Sequence, residues 1–233
     1  MIPVLVAALS GLGGVSPTAA TPLMADDAKW DLVAATVRVS AGAGVPPFGT
    51  AVCVGSRGGV AYLLTAEHVV PRGEARSFEF FTRASYPKPA ETLFVSEVAL
   101  RLPECDLALV KVTPTVVEPV AVPVARLDQR PRRFPVPALA VGCPDGDPPA
   151  ARPERLTGRK LVRRPEGNGV FWEAAGTPRG GASGGPLFDG AGRLIGICAA
   201  TRDGQGYYTH ADELLAGLKR HGYGWLVDSP RKP

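Results

Sequence analysis

An all-β fold is predicted by three features of the chain: short apolar and β-branched runs, frequent glycine and proline between them, and helical spacing in one late stretch only. The 28 glycines and 24 prolines in 233 residues break the sequence too often for long helices. Apolar residues, at 45%, are numerous enough to fill a substantial core, which excludes a disordered chain. The net charge of +4 is modest. Arginines gather between Arg126 and Arg133 and again between Arg152 and Arg164, and both clusters read as solvated surface. The second has no aromatic residue until Phe171 and Trp172, so stacking on nucleic-acid bases is not expected.

Residues 1–25 stand apart. Ile2 to Val15 is an apolar run of small residues, followed by Ser16-Pro17-Thr18-Ala19-Ala20 and Met24-Ala25, the pattern of a secretory signal cut after Ala20 or Ala25. It lacks a Lys or Arg before the run, and Gly11, Gly13 and Gly14 make it unsuited to spanning a membrane. The expected location is secreted or periplasmic, with no stable membrane insertion once the signal is removed. Six strand-like runs follow at 35–40, 48–55, 59–65, 77–82, 91–100 and 106–112, a number that suits a small closed barrel spanning 30–113. Residues 114–136 hold prolines at 114, 119, 123, 131 and 135 and read as an extended connector. A second set of six runs lies at 137–143, 154–163, 169–175, 185–189, 193–200 and 206–210, within a second unit at 137–228. Ala211 to His221 places Leu214, Leu215 and Leu218 at helical spacing, with Asp212 and Glu213 near the start and Lys219 and Arg220 near the end, an order that complements the helix dipole.

The chemistry centres on Gly180-Gly181-Ala182-Ser183-Gly184-Gly185-Pro186. Glycines on both sides of one serine let consecutive N–H groups point at a single spot beside its hydroxyl, as an oxyanion requires. A glycine-rich turn between two strands would look the same, so the serine needs a base. His68 ends the run Tyr62-Leu63-Leu64-Thr65-Ala66-Glu67-His68-Val69-Val70, where a strand opens into a loop, and Asp106 heads Asp106-Leu107-Ala108-Leu109-Val110. Singly, these are a strand-end histidine and a turn aspartate. Together, in the order His68, Asp106, Ser183, they resemble the trypsin-like serine peptidases of the chymotrypsin fold, over roughly residues 34 to 222.

That resemblance implies two six-stranded antiparallel β-barrels packed face to face, a C-terminal helix, and a catalytic triad of His68, Asp106 and Ser183 in the cleft between the barrels. It implies an oxyanion hole from the N–H groups of Gly181 and Ser183, and no cofactor or metal. Ala182 stands where digestive members carry an aspartate that pairs with a newly cut amino terminus, and no Ile-Val-Gly-Gly-like start is present, so that activation route is not expected. The site is then either constitutively ordered or ordered by substrate. By position in the family, Thr177, Ala199, Ala200, Thr201 and Gly206 form the substrate pocket, without a carboxylate at its base. A small or medium uncharged residue is therefore expected before the scissile bond.

Cys53, Cys105, Cys143 and Cys198 suit two disulfides in an exported protein, with Cys53–Cys105 and Cys143–Cys198 favoured by their distribution between barrels, or else four buried thiols. His210 and His221 read as surface residues and Asp145-Gly146-Asp147 as a turn. The expected partner is a protein or peptide substrate, not a nucleic acid, and a monomer is favoured. The reading from a different class is a catalytically silent peptide- or protein-binding module on the same fold; retention of the whole triad and its glycines favours the enzyme.

Overall fold

The structure is a computed structural model that describes residues 26–95, 97–126 and 131–228; the expected signal segment, 1–25, lies outside the described residues. After helix α1 (Asp26–Ala34) come β1 (Thr36–Gly42), β2 (Val45–Arg57), β3 (Val60–Thr65), β4 (Arg76–Phe80), β5 (Glu91–Val95), β6 (Val98–Leu102) and β7 (Leu107–Val112). These form one antiparallel seven-stranded sheet in the order β5-β4-β1-β2-β3-β7-β6. The second half contains β8 (Val136–Gly142), β9 (Ala150–Arg164), β10 (Gly167–Ala174), β11 (Pro186–Phe188), β12 (Leu194–Arg202) and β13 (Gln205–His210). They close into a barrel in the order β10-β13-β12-β11-β8-β9.

The predicted all-β architecture is the one adopted, with one correction in the first half. The run at 91–100, expected as a single strand closing a six-stranded barrel, is divided between β5 and β6. β5 pairs with β4 and β6 pairs with β7, so the chain crosses within this run from one edge of the sheet to the other. The first half is thus a seven-stranded, half-barrel-like sheet whose two edge strands follow one another in the chain.

Strand β2 shows why the central runs are apolar without alternation. Ala51 and Cys53 face the interior of the first sheet with Leu63, Phe78 and Val110. Val52 and Val54, on the opposite face, join Leu64, Leu139 and Phe188 in a cluster shared by the two halves. The barrel has its own interior around Leu156, Trp172, Leu187, Ile195 and Tyr208. The connector is fixed at its start by Glu91, whose carboxylate accepts hydrogen bonds from the N–H groups of Thr115, Val116 and Val117 and from the Thr115 hydroxyl. Burial works against the ionised form, but these bonds prevail and hold the Glu91 pKa below its ordinary value.

Helix α2 (Ala211–Arg220) begins at His210, whose Nδ1 accepts the Asp212 N–H at 2.9 Å. His210 is buried, its ring centred 3.9 Å from that of Trp172, so its expected surface position is corrected: it serves as the N-cap and packs in the barrel wall. Leu214 and Leu218 pack into the shared cluster. A last turn, α3 (Trp225–Asp228), reaches back to the first sheet, where Leu226 meets Gly55 and the Trp225 ring lies 4.9 Å from Tyr62 and 3.9 Å from the Arg57 guanidinium.

All four cysteines are buried free thiols, so the disulfide alternative is not adopted. The favoured pairing fails because the two members of its first pair pack in different places. Cys53 lies in the first sheet's interior and Cys105 in the cluster between the halves. No helix among the described residues is long and apolar enough to cross a membrane.

Candidate active site

The three residues singled out in the sequence sit where strands end. β3 runs into a short 3-10 turn, Glu67–Val69, that presents His68 with its side chain 49% exposed. The turn is held from below by Arg101, whose guanidinium donates to Glu67 Oε1 at 2.7 Å. Asp106 follows a second 3-10 turn, Pro103–Cys105, and adopts a left-handed conformation with φ 53°, which aspartate tolerates better than most residues. That conformation directs a carboxylate only 7% exposed at the His68 turn. Asp106 Oδ1 accepts the His68 backbone N–H at 3.1 Å, and Oδ2 accepts from Nδ1 at 2.8 Å. An ionised carboxylate can only accept, so the imidazole carries its proton on Nδ1 and leaves Nε2 with a free lone pair. The Asp106 hydrogen bond raises the His68 pKa above its ordinary 6.5, partly opposed by burial and by the positive charge of Arg164.

Ser183 lies in the loop between β10 and β11, and the first half holds that loop in place through Thr50 of β2. The Thr50 N–H donates to the Ser183 carbonyl at 2.7 Å, and its hydroxyl donates to the Gly181 carbonyl at 2.7 Å and accepts the Cys143 N–H at 3.0 Å. The Thr50 carbonyl in turn accepts the Thr65 hydroxyl at 2.6 Å, three residues before His68. Gly184 is pressed against this assembly at φ +82°: a Cβ there would stand 2.0 Å from the Thr50 carbonyl and 2.3 Å from Thr65 Oγ1. The Ser183 loop is therefore seated on β2 and on the end of β3, which leads to His68. Gly181, at φ +83°, completes the turn, and the N–H groups of Gly181 and Ser183 donate to no acceptor among the described residues.

Behind the loop lies a cavity of about 240 Å³ whose walls include Thr177, Pro178, Ala182, Cys198 and Tyr208. Of the pocket residues expected from the sequence, Thr177 lines it; Ala199, Ala200, Thr201 and Gly206 do not. Thr201 and Gly206 instead support the wall, Thr201 Oγ1 donating to the Pro178 carbonyl at 3.1 Å and Gly206 packing on Pro178. Thr177 Oγ1 donates to the Gly204 carbonyl at 2.6 Å. No carboxylate lines the cavity. Arg152 reaches it, but its guanidinium is engaged by the buried Glu154 at 2.8 Å, which also accepts the Gly176 N–H. Among the described residues no group of His, Cys, Asp and Glu side chains could hold a metal ion. Thr50 and Glu154 were not singled out in the sequence, because a threonine within an apolar strand and a glutamate in an arginine-rich run carry no local signal of what they hold.

The family model of the trypsin-like peptidase domain matches residues 49–197, which include Thr50, His68, Asp106, Thr177 and Ser183. The chain is a trypsin-like peptidase. By that membership it is a serine endopeptidase. No curated protein matches it in sequence. Among solved structures, the peptidase is similar to the active form of the protease Rv3671c from M. tuberculosis, at 20% identity and TM-score 0.64, over 93% of this chain and 96% of that one. The inactive form of Rv3671c aligns at 18% identity and TM-score 0.64, over 82% and 90% of the two chains. The serine endoprotease from Yersinia pestis aligns at 17% identity and TM-score 0.63, over 83% and 66%. At these identities the likeness is one of fold.

Proposed function

We propose that this peptidase cleaves peptide bonds through His68, Asp106 and Ser183. The observation that carries the reading is the convergence of a His68–Asp106 hydrogen-bonded pair and a glycine-flanked serine clamped by Thr50 to the strands that end at His68. His68 Nε2 takes the Ser183 hydroxyl proton as Oγ bonds to the substrate carbonyl carbon, whose oxygen becomes the oxyanion. The carbon–nitrogen bond then breaks, and the amine leaves with that proton. Water adds to the acyl-enzyme by the same route and returns Ser183. Asp106 keeps the imidazole in the reactive tautomer and stabilises its protonated form. The N–H groups of Gly181 and Ser183 hold the oxyanion, each donor contributing about 3 kcal/mol to the transition state.

The walls of the cavity support a small or medium uncharged side chain before the scissile bond, since no carboxylate is present to pair a lysine or arginine and the two arginines of the wall, Arg152 and Arg179, are already engaged by Glu154 and Asp145. Labelling by an alkyl fluorophosphonate tests the reading. Wild type is expected to label at neutral pH and Ser183→Ala and His68→Ala to remain unlabelled. A folded wild type that takes no label, or a Ser183→Ala variant that does, overturns it in favour of a binding module or a different nucleophile. A peptide library read on the active chain then tests the pocket, where a strong preference for Arg or Lys would refute the uncharged assignment.

A further inference from the structure

We propose that the peptidase prefers substrates carrying acidic side chains shortly before the scissile bond, bound in a cationic groove between the β9–β10 hairpin and the end of β12. The proposal rests on the catalytic assignment above and adds a substrate class to it. The groove, about 300 Å³, is walled by Lys160, Val162, Arg164, Phe171, Ala200 and Arg202. Strand alternation accounts for its charge: Lys160, Val162 and Arg164 share one face of β9, so two cations flank an apolar residue along the same wall. The hairpin region from Ala150 to Ala174 carries six Arg and Lys against three Glu.

These cations are poorly neutralised. Lys160 lies 3.5 Å from Glu173 with half of its side chain exposed, and among the described residues Arg202 pairs with its neighbour Asp203, both largely exposed. The Arg164 guanidinium rests over the Phe171 ring at 5.1 Å, and no ion pair is formed by Arg163 or Arg164 among the described residues. The cluster lies at the surface as its sequence suggested, and the proposal adds a ligand for its β9 end.

The groove borders elements that carry the candidate site. Gly169 of β10, two residues before Phe171 of the groove, packs on Glu104 and Cys105, immediately before Asp106, and the positive charge of Arg164 opposes protonation of His68. At the other end, Cys198 accepts the Gly184 N–H at 2.7 Å, and beyond it residues 199–202 pair with β13 on one side and with no strand on the other among the described residues. A peptide leaving Ser183 along that open edge carries its side chains past Ala200 toward Lys160, Arg164 and Arg202. Nucleic acid fits the groove less well, because its aromatic residues are closed to base stacking: Phe171 is 1% and Tyr207 9% exposed.

The test uses diphenyl phosphonate probes of Ala, Val and Leu, each extended toward its amino end by Glu-Glu, Gln-Gln or Lys-Lys, with an alkyl fluorophosphonate as the unextended control. The expected result is inactivation about tenfold faster by the Glu-Glu than by the Gln-Gln probe, slower still by Lys-Lys, with the advantage shrinking as salt is raised. In the Lys160→Gln, Arg164→Gln, Arg202→Gln variant the Glu-to-Gln ratio falls to about one. Fluorophosphonate labelling without a Glu-Glu advantage, or an advantage that survives in the triple variant, overturns the groove and leaves the catalytic assignment standing. Failure of every probe, the fluorophosphonate included, overturns the catalytic assignment itself.

Discussion

Thr50 is the residue on which most of the site's geometry depends. Its N–H, hydroxyl and carbonyl engage Ser183, Gly181, Cys143 and Thr65, joining both halves of the molecule at the nucleophile loop. Thr50→Val keeps the shape but leaves the Gly181 carbonyl and the buried Cys143 N–H without a partner, at about 1–3 kcal/mol in stability. Because the same bonds orient the Gly181 and Ser183 N–H groups, kcat should fall about 10- to 100-fold with KM little changed, and Thr50→Ser should restore it. A purely structural role would lower the melting temperature without that split. The pH profile isolates a second residue. In the proposed mechanism His68 must be neutral to act as base, and Asp106 raises its pKa above 6.5, so activity should fall as pH drops through that raised value. Arg164→Gln removes a charge that opposes protonation, and the acid limb should move to higher pH. Asp106→Asn should move it lower and reduce the rate by about 10⁴-fold.

At the scale of elements, burial of the cysteines along strands and turns gives a direct measurement. Burial pushes the thiols of Cys53 to about 11 and of Cys143 and Cys198 to about 12, and raises Cys105 further. The native protein should therefore resist alkylation at pH 8, should release four thiols on unfolding, and should show no mass change on reduction. Detection of a disulfide would overturn the thiol assignment. The elements also show where sequence reading succeeds. The runs that became β1 to β4, β7 and β8 to β13 were legible because each is apolar on at least one face, and the motifs of the proposed triad stand out because each joins a strand to a turn with a chemically distinctive residue. The split of 91–100 was not, since β5 and β6 have continuous strand-like composition and differ only in which neighbour each pairs with. His210 looked like a surface residue because partners such as Trp172 across the barrel and the Asp212 N–H become apparent only when the chain folds. Helix α1 carries no strong amphipathic pattern, and its Leu32 and Val33 are buried by tertiary packing.

Across the whole molecule, the site is assembled from two halves, and each end of the described chain reaches the half to which it does not belong. α1 precedes the first sheet yet touches β9, and α3 follows the barrel yet covers β2 at Gly55. Leu226→Ala should cost about 2–5 kcal/mol and, by loosening the seam that Thr50 bridges, lower activity before the chain unfolds globally. Heating with fluorophosphonate labelling and tryptophan fluorescence followed together would detect this as labelling lost at a lower temperature in the variant; coincident loss would refute it. The position of Arg164 has a further effect. It lies in the groove and acts on His68, so a carboxylate seated beside it also removes its opposition to imidazole protonation. Occupancy and basicity are then linked reciprocally: an acidic substrate strengthens the base that would deprotonate Ser183, and protonation of that base tightens the hold on the substrate. The acid limb should accordingly lie at higher pH in kcat than in kcat/KM for acidic peptides, and the two should coincide for neutral ones.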